Sequence, residues 1–304
     1  MIDSNTYLLI QGITGTQGKI HAQRTIESGM KLVGGTSPGK AGETVCDLPV
    51  YNTVADLKKE HPEVNATMIL VPPKFVLAAA FEAIDNGIKI VVIITEFVPV
   101  LDAMKIVNYA KERGATVVGP NTIGVIKPGV GKIGVMPEYI YKKGHIGIIS
   151  RSGTLTHEVS SNLAFAGYGE SLCVCIGGDM VTGLSHSEAL DFVLQDKDTK
   201  ALILLGEIGG SSEEDAAEKI SKMNLDIPVI AYIVGVSAPE GKKMGHAGAI
   251  ASDGKGSAKS KVEALEKAGI KVAKTTGQLV DMIKEIDKGL NGILNTVEKI
   301  EDLQ

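Results

Sequence analysis

One histidine in this chain has unusual company. His246 stands in the stretch GKKMGHAGAI (residues 241–250), where Ala247, Gly248 and Ala249 follow it directly. A histidine that fills a core has bulky apolar partners, whereas small neighbours leave room beside the ring. Held at one nitrogen by a partner, such an imidazole has its other nitrogen free as a nucleophile. Glu207 is the candidate partner. It ends the run KALILLGE (200–207), which reads as a strand, and the run PVIAYIVG (228–235) leads into the segment that carries His246. Both side chains therefore belong at one edge of the same predicted sheet. His21, His61, His145 and His186 have no such setting, and no ligand spacing of a zinc site occurs.

Two stretches have the composition of anion sites. In SRSGTLTHE (150–158) a strand gives way at Ser152, Gly153 and Thr154 to a helix, whose first N–H groups and dipole can hold a phosphoryl group. Simple capping of the helix is the alternative use of the same serine and threonine. In GITGTQG (12–18) Gly12, Gly15 and Gly18 precede a helix expected from about Lys19, so the backbone can approach a polyphosphate. A tight turn with nothing bound is the alternative. A dehydrogenase of this type would carry an acidic residue after its second strand; here KLVGGTSPGK brings Lys40 and no carboxylate before Glu43. That disfavours NAD and suits a ligand with an additional phosphate, either NADP or coenzyme A. Thr95 and Glu96 end a further strand at the edge where open α/β sheets bind ligands, although they can also cap the next helix.

The elements that must position these residues alternate between strand-sized and helix-sized runs. Strands are expected at 6–13, 31–36, 66–72, 88–95 and 115–120, then at 145–150, 170–177, 200–207, 228–235 and 271–274. Helices over KFVLAAAFEAIDNG and PVLDAMKIVNYAKERG each end in glycine. The Gly- and Pro-bearing stretch TIGVIKPGVGKIG breaks the alternation. The predicted organisation is α/β throughout: a nucleotide-binding domain over 1–125, a connection over 126–144, a second α/β domain over 145–288, and a tail over 289–304 that is a polar helix or a mobile end.

Composition sets outer bounds. At 304 residues the chain is long enough for two domains of about 150 residues each. A net charge of −5 without a basic stripe argues against a nucleic-acid binder or an anionic-membrane binder. The apolar runs fall short of the ~20 residues that span a bilayer, and the start of the chain does not read as a signal peptide. Three cysteines, Cys46, Cys173 and Cys175, fit a reduced cytoplasmic protein.

Taken together and in order, GITGTQG, GGTSPGK, ITE, GPN, SRSGTLT, IGGD, GEIGG and GHAGAI resemble the α-subunit family of succinyl-CoA synthetase (succinate–CoA ligase) over about residues 5–285. The resemblance implies a Rossmann-like CoA-binding domain followed by a flavodoxin-like ligase domain. It implies CoA contacts at Thr14, Gly15, Thr16, Gln17, Lys40, Ile94, Thr95 and Glu96. It also implies a phosphorylated His246, Glu207 as its orienting partner, and Ser152, Gly153 and Thr154 as the phosphate-holding helix start. The family joins an acid to CoA through an acyl phosphate, with ATP or GTP and Mg²⁺ bound by an ATP-grasp β subunit in a heterodimer or heterotetramer.

Several positions depart from the family pattern. SRSGTLTYE is here SRSGTLTHE (His157), GPNCPGV is GPNTIGV (Thr122 and Ile123 after Asn121), TEGIP is TEFVP (Phe97), and IGGDPIPG is IGGDMVTG. These changes gather on the expected acid side. His157, Asn121, Thr122 and Ile123 are therefore the candidate substrate residues, with malate, citrate or sulfoacetate as alternatives to succinate. A non-catalytic CoA-binding module and an NADP-dependent oxidoreductase complete the set of readings.

Overall fold

The computed structural model describes residues 1–235, 245, 246, 249 and 256–295. Ile2–Pro137 with Val181–Leu184 form one compact unit, and Glu138–Met180 with the chain from Ser185 onward form the other.

The first unit begins with β1 (Tyr7–Gln11), α1 (Thr16–Glu27), β2 (Lys31–Thr36), β3 (Thr44–Val45), β4 (Leu48–Tyr51) and α2 (Val54–Glu60). It continues with β5 (Ala66–Ile69), α3 (Pro73–Asp85), β6 (Ile90–Ile93), α4 (Val100–Glu112), β7 (Thr116–Val118), β8 (Gly124–Lys127) and β9 (Gly131–Gly134). The parallel strands lie side by side as β4-β2-β1-β5-β6-β7, with β3 antiparallel to β4 at the edge. Renumbered along the chain, the parallel strands read 3-2-1-4-5-6, the dinucleotide-fold order, and the reversal falls between β1 and β5. Fully buried strands such as β5 are needed because helices cover both faces of a parallel sheet.

Helix α3 shows how the pattern directs this. Val76, Ala79, Ala80, Ala83 and Ile84 recur at helical spacing and are the buried positions, Pro73 starts the helix, and Gly87 at φ +79° follows its end. Each Val or Ile so buried contributes about 1.5–3 kcal/mol. A proline at Ala80 would remove a backbone bond in mid-helix and break the element.

The second unit holds β10 (Lys143–Ser150), α5 (Gly153–Phe165), β11 (Glu170–Cys175), α6 (His186–Leu194), β12 (Ala201–Glu207) and α7 (Ser212–Ser221). It ends with β13 (Val229–Val234), α8 (Ala258–Lys267), β14 (Lys271–Ala273) and α9 (Thr276–Gly289). Its parallel strands lie as β11-β10-β12-β13-β14, which renumbers to 2-1-3-4-5, the flavodoxin-like order, with the reversal between β10 and β12. Every residue of β11 and β12 is buried, so Cys173 and Cys175 are core residues.

Most of the expected strands are shorter by a few residues at their ends, and three further differences from the sequence expectation bear on the organisation of the chain. Helix α1 begins at Thr16 rather than near Lys19, because Gly15 already serves as its N-cap. Residues 126–144, expected as a connection, hold part of the β8–β9 hairpin and the start of β10, and the units divide after Pro137. The expected tail starts as the last residue of α9, and the chain then folds back: Leu294 N–H donates to Asp287 Oδ1 at 2.7 Å, and the Leu294 side chain is buried. Residues 296–304 of that tail lie outside the described residues. No helix among the described residues is long and apolar enough to cross a membrane.

Candidate functional site

Strand β12 delivers Glu207 at its C-terminal end, in register with Val234 at the end of β13. Oε2 of Glu207 lies 2.7 Å from Nδ1 of His246, with the carboxylate buried and the imidazole half-buried. An ionised carboxylate only accepts, so Nδ1 carries the hydrogen and Nε2 is the nitrogen with a free lone pair. The hydrogen bond that His246 donates to Glu207 raises the His246 pKa above the ordinary histidine value, against the opposing effect of burial. The ring rests on Gly178: a Cβ built there would lie 2.6 Å from His246 Cγ and Cδ2, so a side chain at this position would displace the imidazole. Ala249 is buried, whereas Ala247 and Gly248, the small neighbours read as making room, lie outside the described residues.

Strand β10 ends beside β12, where Ser150 is in register with Leu205, and this places Arg151 under the same pair. Arg151 Nε is 3.9 Å from Glu207 Oε1, and its Nη2 donates to the Asp179 carbonyl at 2.9 Å. Of the expected phosphate residues, Ser152 is the cap of α5: its Oγ accepts from Leu155 N–H at 3.3 Å, and its own N–H is bound by Ser150 Oγ at 3.1 Å. Gly153 and Thr154 are the first residues of α5, the positions whose N–H groups an α-helix leaves without intrahelical partners. The helix start, the carboxylate and the imidazole thus gather at the reversal point of the second sheet, where open α/β sheets bind ligands.

In the first unit a cavity of about 690 Å³ opens at the corresponding reversal, lined by Gly12, Thr14, Ser37, Lys40, Val71 and Phe75 among others. Gly12 has φ +88°, and a Cβ at Gly18 would lie 2.3 Å from the Gly12 carbonyl, so both glycines are needed for the turn to close. No side chain caps α1 at Gly15, so the N–H groups of its first turn, at Thr16 and Gln17, have no side-chain cap, and of the expected GITGTQG contacts Thr14 lines the cavity. Thr14 Oγ1 donates to Ser37 Oγ at 2.9 Å. Lys40 reaches Glu43 at 2.8 Å across an exposed surface, where such a pair holds the lysine weakly. Thr95 Oγ1 donates to the carbonyl of the cavity residue Val71 at 2.7 Å; Ile94 donates its N–H to the Ile69 carbonyl, and Glu96 follows on the same loop.

The sequence matches the CoA binding domain family over residues 3–97 and the CoA-ligase family over residues 149–271. It is 49% identical over 284 residues to the succinate–CoA ligase (ADP-forming) subunit alpha of Methanothermobacter thermautotrophicus, covering 93% of this chain and 96% of that one. It is 47% identical over 290 residues to the protein of the same name from Aquifex aeolicus, covering 95% and 94%. The chain belongs to the succinate–CoA ligase alpha-subunit family. Among solved structures, an ATP citrate lyase from Methanothrix soehngenii in complex with citrate and coenzyme A superimposes with a TM-score of 0.85 at 24% identity. That superposition covers 100% of this chain and 53% of the lyase, so the chain spans about half of the lyase's length and the likeness is one of fold.

The cavity fits coenzyme A by its own chemistry. It has an apolar wall at Val71, Pro72 and Phe75, a glycine turn that a Cβ would fill, and one cation at Lys40. Ser37 and Phe75 were missed from the sequence; Ser37 stands inside the SPGK stretch that singled out Lys40, and Phe75 gives no signal until α3 is placed against β1. Arg151 and Gly178 were missed in the same way, although both stand in quoted motifs of this succinate–CoA ligase family, SRSG and IGGD.

The expected acid-side residues divide between the units. Asn121 adopts φ +56° and donates its N–H to the Thr95 carbonyl at 3.1 Å, which sets it at the strand edge shared with the CoA-side loop. Thr122 is buried, and its Oγ1 accepts from Gly124 N–H at 2.8 Å, while the Ile123 carbonyl accepts from Val135 N–H; both are tied into the hairpin. His157, in the second unit on α5, pairs with the Tyr141 hydroxyl at 2.7 Å, and burial lowers its pKa. Phe97 is 83% exposed at φ +60°, a backbone region that bulky side chains avoid. Among the described residues no cluster of three or more His, Cys, Asp or Glu could hold a metal ion.

Proposed function

We propose that this chain is the α subunit of an ADP-forming succinate–CoA ligase that works through phosphorylated His246. The observation that carries the reading is the Nδ1–Glu207 hydrogen bond at 2.7 Å, which leaves Nε2 as the nucleophile beside a helix start able to hold phosphate. His246 Nε2 attacks the terminal phosphorus of ATP and ADP leaves. The positive charge that develops on the ring is stabilised by Glu207, and the amides of Gly153 and Thr154 with the α5 dipole stabilise the phosphoryl oxygens. His246 then loses the phosphoryl group to a carboxylate oxygen of the acid and returns to the neutral imidazole. Coenzyme A, when bound, supplies the thiol that displaces phosphate to give the thioester. The glycine turn with Thr14, Gly15, Thr16 and Gln17 holds its phosphates, Lys40 its 3′-phosphate, and Ile94, Thr95 and Glu96 its other end.

The nucleotide and Mg²⁺ are bound by an ATP-grasp β subunit, in a heterodimer or heterotetramer. Asn121 anchors the acid, with Thr122, Ile123 and His157 shaping the choice of acid. Succinate is the favoured substrate, because the relatives at 47–49% identity carry that name; malate, citrate and sulfoacetate are the competing acids. Cys46, Cys173 and Cys175, none of them in a disulfide, fit a reducing cytoplasm. Combining the chain with a cognate β subunit, CoA, Mg-ATP or Mg-GTP and this panel of acids tests the reading. CoA-thioester formation with succinate and ATP supports it, and no thioester with any acid refutes it.

A further inference from the structure

Beneath the Glu207–His246 pair lies a buried ion pair that makes no contact with either imidazole nitrogen. Glu213, in the first turn of α7, is 1% exposed, and its Oε1 accepts the Glu207 N–H at 3.1 Å. Its Oε2 pairs with Nζ of Lys261 on α8, a lysine with no exposed surface. The same Nζ donates to the Gly209 carbonyl at 2.9 Å, two residues past Glu207. Neighbouring Glu214 accepts from Gly256 N–H and from Ser260 Oγ, each at 2.8 Å, and Gly209 N–H donates to the Gly256 carbonyl at 2.8 Å. A Cβ at Gly206 would fall 2.6 Å from Glu213 Oε1, so the strand gives up a side chain to admit this carboxylate.

A buried Lys–Glu pair is commonly no more stabilising than an apolar pair of the same volume. Fold stability therefore gives little reason for placing one here, whereas its hydrogen bonds fall on the backbone at either side of the Glu207 side chain. We propose that the Glu213–Lys261 pair is the positioning element of the phosphohistidine site. It fixes the backbone at Glu207 and Gly209, and Lys261 also stands 4.0 Å from Glu214, which holds Gly256, so that the Glu207 carboxylate meets Nδ1. This inference rests on the reading of His246 as the phosphoryl carrier. Burial pushes the Glu213 pKa up, but His186, Lys261 and Arg151 outweigh it and hold the group below the ordinary carboxylate range, which keeps this carboxylate ionised.

The test uses the full-length chain as the double variant Glu213→Gln/Lys261→Met, which removes both charges of the pair together, leaves Glu214 its hydrogen bonds from Gly256 and Ser260, and keeps an oxygen for the Glu207 N–H. Glu213→Gln alone serves as the second variant if the double variant fails to fold. The His246 ring is titrated by NMR, with Glu207, Arg151 and Asp179 as the charged groups that bear on it. Phosphorylation by Mg-ATP and the β subunit is followed in a single turnover. The expected result is a His246 titration shifted down toward an ordinary histidine and phosphorylation slowed about 100-fold, the cost of a small misplacement, with CoA affinity unchanged. A variant in which His246 titrates as in the parent overturns the proposal, even if its melting temperature falls. A parent chain that is never phosphorylated refutes the ligase reading instead, and the titration still decides the positioning.

Discussion

Glu207 Oε2 stands 2.7 Å from His246 Nδ1, while Arg151 Nε stands 3.9 Å from the other oxygen of the same carboxylate. One carboxylate thus faces an imidazole and a guanidinium, and its hydrogen bond goes to the imidazole. That bond fixes the tautomer and raises the His246 pKa.

The raised pKa gives a signed pH dependence. Only the imidazole with a bare Nε2 can accept a phosphoryl group, so phosphorylation falls as pH drops through the raised His246 pKa. In Glu207→Gln the limb moves to lower pH, because the charge that raised the pKa is gone, while the plateau rate drops about 100-fold as the developing ring charge loses its partner. Rate profiles of His246 phosphorylation from pH 5 to 9 check this; an unmoved limb would show that Glu207 does not set the titration.

Gly178→Ala places a methyl group 2.6 Å from the His246 ring carbons. Phosphorylation is expected to fall about 100-fold through displacement of the imidazole, with CoA affinity unaltered because the cavity lies in the other unit. Calorimetry with CoA and single-turnover phosphorylation on one preparation separate the two effects.

Lys40→Ala is expected to weaken CoA about tenfold and to leave dephospho-CoA nearly unchanged, since one cation answers one phosphate. The Lys40–Glu43 pair is exposed, so its loss has little effect on stability. Equal weakening of the two ligands would remove the 3′-phosphate assignment.

Phe97→Gly relieves a left-handed backbone strain of about 1–2 kcal/mol and adds unfolded-state entropy costing about 0.4–1 kcal/mol. A net gain of about 0.5–1 kcal/mol in urea denaturation is expected, because the exposed ring has few contacts to lose. A loss of stability would mean that the ring packs against something after all.

The central strands were legible because burial on both faces writes them as continuous apolar runs: β2 falls on the predicted 31–36, and β12 is one residue shorter than predicted. The β3–β4 and β8–β9 hairpins and α2 were not, since they are short and carry Gly, Pro and polar residues in place of a period. At the site, motif and sheet edge together brought Glu207 to His246 across 39 positions of sequence. Sequence offered the capping role that Ser152 takes toward Leu155 only as an alternative, and could not show that Lys40 would reach Glu43 or that Lys261 would be buried. Those outcomes depend on side-chain direction and on neighbours distant in the chain, neither of which a local pattern carries.

The most direct test of the central claim is mass spectrometry, under alkaline handling, of the His246 peptide after the chain has been mixed with its β subunit and Mg-ATP. A phosphoryl group on His246 that is discharged by CoA with succinate is the predicted result. A His246 peptide that stays unmodified while the complex turns over would contradict the account.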